Sequence, residues 1–250
     1  MRSRIELQRL ASQLRLKLGT DSESPIDITS LLAPNSKLTV IFYPFTDQIS
    51  GMCVKSANLI AINSRSTLGR QNFSLAHELY HYCFDDSGGD SATINEVSVF
   101  YQNYNTEREA DLFASHLLIP DITLNKKVNH VTNNQENSLI LRDIIELEQF
   151  FKVSRQAMLS RLVVDEYLTK READKFRNNV ISNARLLGFD DSLYKPSSLR
   201  NNKQTLGAYI TRTVDLSKKG VISQGKYEEY LLDAFREDLV FGDIEEELYD

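Results

Sequence analysis

The stretch from Ala76 to Phe84, AHELYHYCF, sets two histidines four residues apart with a glutamate between them, in a run otherwise almost free of charge. A carboxylate in such a run is costly to bury unless it has a partner or a task. On an α-helix, residues i and i+4 lie one turn apart on one face. His77 and His81 can therefore reach one ion, while Glu78, turned by about 100°, can point at a ligand on that ion. This is the HExxH arrangement, two imidazoles suited to zinc and a carboxylate placed to act as general base. The plain alternative is a buried helix whose histidines are satisfied by backbone acceptors.

A catalytic zinc takes three protein ligands and keeps one position open, so a third ligand must come from elsewhere. Only two other histidines exist, His116 and His130, whereas carboxylates are numerous downstream. The segment EREADLFAS is the most informative. On a helix, Glu107, Ala110, Asp111, Ala114 and Leu118 share one face, and Glu109, Leu112, Phe113 and His116 share another. The small alanines of the first face allow close approach to the motif helix. Asp111 lies one turn after Glu107, a spacing that suits a ligand followed by a carboxylate holding a zinc histidine through its other ring nitrogen. Glu107 is thus the expected third ligand and Asp111 its support. Glu109 is the rival, and His116 reads as a packed or surface histidine.

The rest of the chain frames this motif. Net charge is −6 over 250 residues, and the segment from Val221 to Asp250 alone holds ten acidic and two basic side chains, which reads as a solvated acidic surface. No basic surface of the kind that binds phosphate strongly is evident. The N-terminal MRSRIELQRLASQLRLKLG lacks the apolar run of a signal peptide. Its Leu7, Leu10, Ala11, Leu14 and Leu18 recur at helical spacing, with Gly19 where a helix would stop. With no membrane-spanning run and only Cys53 and Cys83 as cysteines, the expectation is a cytoplasmic protein with reduced thiols and no membrane partner.

SPIDITSLL predicts a short helix, KLTVIFYPF a strand, and GMCVKSANLIAINS a hairpin in which Met52–Val54 turns back into Leu59–Ile62. The motif helix is predicted from about Gln71 to Phe84, ending in the loop-forming DDSGGD. A further helix begins near Asn105 or Thr106 and is stopped by Pro120. The polar NKKVNHVTNNQENS is the best candidate boundary. Beyond it lie helical segments, among them ELEQFFKVSRQAMLSRL, which reads as helix, turn, helix with Ser154 as N-cap of the second.

AHELYH followed by EREADLFASHLLIP closely resembles the ImmA/IrrE family of zinc metallo-endopeptidases, which joins an HExxH helix to a later E-x-x-A-(N/D)-x-F-A…LL-(hydrophobic)-P helix. The matching positions are His77, Glu78 and His81, then Glu107, Ala110, Asp111, Phe113, Ala114, Leu117, Leu118 and Pro120. One departure is Tyr80, where members commonly carry glycine; a tyrosine needs more room and implies rearranged packing beside the site.

The resemblance implies an α+β chain. Residues 1–125 would form a zincin-like, gluzincin-like metallopeptidase domain with a small antiparallel sheet and the HExxH helix. A helical region, 138–250, would follow, with a helix-turn-helix-like unit near 140–168 and acidic C-terminal helices. It also implies proteolysis of a protein partner, a co-encoded Xre-type helix-turn-helix repressor, in stress response or mobile-element regulation. Zn2+ is the expected metal, with Mn2+ accommodated by a His/His/Glu site. Glu78 would move protons between water and the leaving amine. Substrate would add to the exposed edge of the hairpin as an extended peptide. Tyr82, Tyr101, Tyr104 and His116 are the candidates for an oxyanion donor.

Two other readings stand beside this one. Arg155, Gln156, Ser160 and Arg161 could face a DNA groove, making the protein a DNA-binding regulator with metal in a structural or sensory role, although Asp165 and Glu166 would oppose phosphate. A purely structural zinc is disfavoured, because such sites close all four positions. Cys53 and Cys83 read as small buried hydrophobes rather than as redox ligands.

Overall fold

The computed structural model describes residues 2–35, 37–46, 49–85, 104–132, 139–199 and 201–242. Helix α1 (Arg4–Lys17) starts at Ser3, whose hydroxyl accepts the Glu6 amide, and buries Leu7, Ala11 and Leu14 at helical spacing. Its Arg15 is also buried. The guanidinium donates to the backbone oxygens of Leu117 (2.6 Å), Asp21 (2.9 Å) and Ser24, so the charge is fully engaged where it leaves water. Helix α2 (Ile28–Leu32) is capped by Asp27.

Four short strands form one sheet: β1 (Thr39–Tyr43), β2 (Gly51–Val54), β3 (Leu59–Asn63) and β4 (Gln204–Gly207), in the order β2-β3-β1-β4. The expected hairpin is present, with Met52 opposite Ala61 and Val54 opposite Leu59. Its turn is a 3-10 turn at Lys55–Ala57, closed by Asn58 in the left-handed region (φ 51°), where asparagine is tolerated. The sheet is mixed rather than antiparallel. β3 lies beside β1 in parallel register, because the chain crosses to the outer position of β2 before turning back. β4 closes the other side, antiparallel to β1. This strand comes from a region read from sequence as helical; four residues, QTLG, carry too little pattern to announce a strand.

Helix α3 (Leu68–Phe84) carries the HExxH motif and begins three residues before the expected start. Gly69 is required there, since a Cβ would come within 2.6 Å of the Ser154 nitrogen and 2.8 Å of the Val153 carbonyl carbon. Helix α4 (Tyr104–Leu118) packs on α3 and α1 through Ala110, Phe113, Ala114 and Leu117, all fully buried. Pro120 ends it and becomes the N-cap of α5 (Asp121–Val131). The stretch NKKVNHV, read as part of a polar connector, is therefore helical: Leu124 and Val128 are buried with one apolar residue per turn, a pattern the surrounding Asn and Lys obscure. Residues 133–138, the remainder of that stretch, lie outside the described residues.

Helices α6 (Leu141–Phe151) and α7 (Arg155–Val164) follow, joined by Lys152 in the left-handed region (φ 55°). Then come α8 (Lys170–Lys175), α9 (Val180–Leu186), α10 (Ala208–Lys218), α11 (Gln224–Asp233) and α12 (Glu237–Phe241). One apolar core takes in Leu7, Val40, Ile60, Leu79, Phe113, Leu124, Ile144, Phe151 and Leu162, so α6 and α7 share it with the motif helix. The architecture is α+β and zincin-like. Among the described residues no helix is long and apolar enough to cross a membrane.

Candidate metal centre

Helical spacing does what the sequence requires of it. His77 and His81 project from one face of α3 toward Glu107 on α4. The Nε2 atoms of the two rings lie 3.2 Å apart, and Glu107 reaches His77 Nε2 at 3.1 Å and His81 Nε2 at 3.3 Å. One donor atom from each of the three lies within 4.8 Å of the others, and among the described residues this is the one such cluster. His77 Nδ1–H donates to Asp111 (2.9 Å) and His81 Nδ1–H to Asp85 (3.1 Å). A carboxylate behind each ring holds its orientation, with Nε2 turned toward the cluster.

Asp85 was missed in the sequence, where it opens the loop-forming DDSGGD. The available signal was its spacing, i+4 from His81. That spacing repeats Asp111 after Glu107, although Asp85 is the extended C-cap residue of α3 rather than part of the helix.

The rings and the carboxylates stabilise each other's charged forms. Burial opposes protonation of His77, yet its hydrogen bonds with Asp111 and Glu107 hold its pKa up at about 10. Burial likewise opposes the charge on Glu107, but hydrogen bonds from His77 and His81 bring it down to about 2. Burial raises the pKa of Glu78, against the pull of the two histidines. Two imidazole nitrogens and a carboxylate, each ring braced from behind, fit a tetrahedral zinc and are also acceptable to manganese.

Glu78 sits against the sheet. A Cβ on Gly51 would come within 3.0 Å of Glu78 Oε1 and 3.1 Å of its Cγ. Gly51 thus lets the outer strand β2 run directly past the carboxylate.

Glu109 does not join the cluster. It lies two residues, about 200° of helical turn, from Glu107, and accepts hydrogen bonds from the Tyr80 hydroxyl and from the backbone N–H of Arg2 (2.6 Å). Tyr80, the departure from glycine, is fully buried there. His116 is buried, with Nδ1 on Asp121 (3.0 Å), and the Tyr82 hydroxyl donates to Asn58 (2.8 Å). Tyr101 and the side chain of Tyr104 lie outside the described residues. Cys53 on β2 is half-buried, with its thiol pushed up to about 12 by burial, and Cys83 is exposed.

The DNA-facing expectation for α7 fails at two of its four residues. Arg155 is buried in an ion pair with Glu148, and Arg161 is buried against Asp121 (2.6 Å) and Asp165 (2.7 Å). Arginine looks like a surface residue in sequence, and only the positions of Glu148 and Asp121 turn these two inward. Gln156 and Ser160 are exposed.

No curated protein matches the chain. Among solved structures, a Mycobacterium tuberculosis transcriptional regulator is similar at 15% identity with a TM-score of 0.46, the match covering 64% of this chain and 46% of that one. The chain thus spans under half the length of that protein. Residues 34–163, just over half of the chain, match the metallopeptidase family M78, described as the IrrE N-terminal-like domain, and the HExxH helix and its His77, His81 and Glu107 cluster fall inside that span; the chain belongs to this family.

Proposed function

We propose that the protein is a zinc-dependent endopeptidase that cleaves a specific protein partner in the cytoplasm. That partner is a co-encoded repressor of the Xre helix-turn-helix type, in a stress-response or mobile-element circuit. The observation that carries the reading is the convergence of His77, His81 and Glu107 beside a half-buried Glu78 that faces an edge strand.

His77, His81 and Glu107 would hold the ion, which when bound supplies Lewis-acid polarisation to water and to the scissile carbonyl. Asp111 and Asp85 keep the two imidazoles turned toward it. Glu78 is the general base. Its carboxylate takes a proton as the water oxygen adds to the carbonyl carbon, and returns that proton to the amide nitrogen as the C–N bond breaks. An extended substrate segment pairs with the outer edge of β2, which delivers its carbonyl past Gly51 to Glu78. The helices beyond residue 138 contribute packing and a surface for partner docking rather than a DNA-reading helix.

Incubation of the protein and Zn2+ with the neighbouring Xre-type repressor, followed by mass spectrometry, should yield two defined fragments, and a chelator should abolish them. A Glu78→Gln protein that retains zinc and still cleaves at the wild-type rate overturns the mechanism.

A further inference from the structure

Among the described residues, Tyr80 and Glu109 are buried polar groups beside the metal cluster that the mechanism leaves unused. Each belongs to the same helix as a ligand but turns elsewhere. Tyr80 follows His77 by three residues, and Glu109 follows Glu107 by two. Helical geometry places the seam between α3 and α4 along the small residues Ala110 and Ala114, which have no exposed surface. On one flank of that seam lie His77, His81, Glu107 and Asp111. On the other lie Tyr80, Glu109 and Phe113.

The second flank is closely knit. The Tyr80 hydroxyl donates to Glu109 Oε2 and accepts from Arg2 Nη1 at 2.5 Å, and Glu109 Oε1 accepts the Arg2 amide at 2.6 Å. The Tyr80 ring packs on Phe113 (5.5 Å between centroids) and meets the His81 ring edge-on (5.9 Å).

The alanine stripe gives α3 little to grip on α4, so the groups on its flanks, together with the packing of α4 on α1, hold the roll of α4. Rolling α4 about its axis would carry Glu107 away from His77 and His81. We infer that the Tyr80–Glu109 hydrogen bond, closed by Arg2 from the N-terminal segment, is a clamp that sets the roll of α4 and so positions Glu107 as a metal ligand. Tyr80 and Glu109 are then positioning residues. The inference rests on the metal-site reading above.

Co2+ is a probe that reports on its own coordination. Titration of the full-length metal-free protein with Co2+, followed by its visible absorption, gives both affinity and ligand geometry. Tyr80→Phe and Glu109→Ala should each weaken Co2+ binding by about tenfold, the lower end for a residue that braces a ligand, and should change the absorption band. Glu109→Gln, which keeps an acceptor for the phenol, should retain most of the affinity. The double variant Tyr80→Phe/Glu109→Ala should lose less than the two single effects combined, since the Tyr80–Glu109 bond is lost in each. Thermal unfolding of each metal-free variant reports folding separately. Wild-type binding with Tyr80→Phe indistinguishable from it overturns the clamp alone. A weakened affinity with an unaltered Co2+ band also overturns it, because general destabilisation would then suffice. A wild-type protein that binds no Co2+ overturns the metal-site reading and the clamp with it.

Discussion

Two clusters in this protein use the same residue types and do opposite things. At the α3–α4 face, two histidines meet four carboxylates: Asp85, Asp111, Glu107 and the neighbouring Glu78. At the α1–α5–α7 corner, His116 and Asp121 meet Arg161, Asp165 and Arg4, which pairs with both aspartates. In the second cluster Arg161 and Arg4 each pair with both aspartates, and Arg161 also donates to the Ser115 hydroxyl. The cluster is closed, and its effect is to lock α7 onto the rest of the core. In the first, carboxylates surround two rings whose Nε2 atoms lie 3.2 Å apart, an arrangement that could hold a cation. Histidine beside carboxylate is therefore no signal of a metal site by itself; the stronger signal is two ring nitrogens that converge with a carboxylate oxygen.

The comparison can be broken at either cluster. The largest expected effect is on catalysis: Glu78→Gln should lower the turnover of a cleaved repressor by about 100- to 10,000-fold, the usual worth of a general base, with metal content by elemental analysis unchanged. Next, Asp111→Asn and Asp85→Asn should each weaken Zn2+ binding by about 10- to 100-fold in a competition titration; equal affinity for wild type and both variants would show that the rings need no bracing. At the closed cluster, Arg161→Ala should cost about 2 kcal/mol in chemical denaturation, since it leaves charged hydrogen bonds unmade, and should leave zinc affinity alone. A loss of zinc together with stability would mean that the two clusters are one unit.

The same cluster should appear in acid. Asp121 is held down to about 2, against the effect of burial, by its hydrogen bond from His116 and the nearby Arg161 and Arg4. A depressed carboxylate contributes stability that is present above its unfolded pKa, about 4, and is lost as pH falls toward 2. Asp121→Asn should flatten the stability profile across that window. The smallest effect belongs to Gln156→Ala on the exposed side of α7, which should stay within about 0.5 kcal/mol in stability and leave repressor cleavage unchanged.

Elements whose meaning is local were legible. His77 and His81, and Glu107 and Asp111, are pairs four residues apart on their own helices, and a 3.6-residue period can be read without knowing what lies opposite. The hairpin was legible through its apolar stretches around KSAN, and α1 through its leucines. The failures share a cause. Arg155 and Arg161 read as exposed cations because their partners, Glu148 and Asp121, turn inward only when α6, α5 and α7 are packed together. Strand β4 gains its hydrogen bonds from β1, more than 160 positions earlier. Helix α5 hid in an asparagine-rich stretch because two buried residues, Leu124 and Val128, sufficed to anchor it.

What the amino-acid order determined by itself was which atoms could meet within one element: two imidazoles on one turn, a carboxylate beside them, and a second helix offering Glu107 and Asp111 on one face and Glu109 on another. Which of those faces turns toward α3 is a property of the packed pair. Tertiary structure brought Glu107 to the imidazoles, gave Glu109 to Tyr80 and Arg2, laid β2 beside Glu78 and set Asp85 behind His81. The reason is physical: helical periodicity is enforced by backbone hydrogen bonds a few residues long, whereas the roll of one helix on another is decided by burial and by partners distant in sequence.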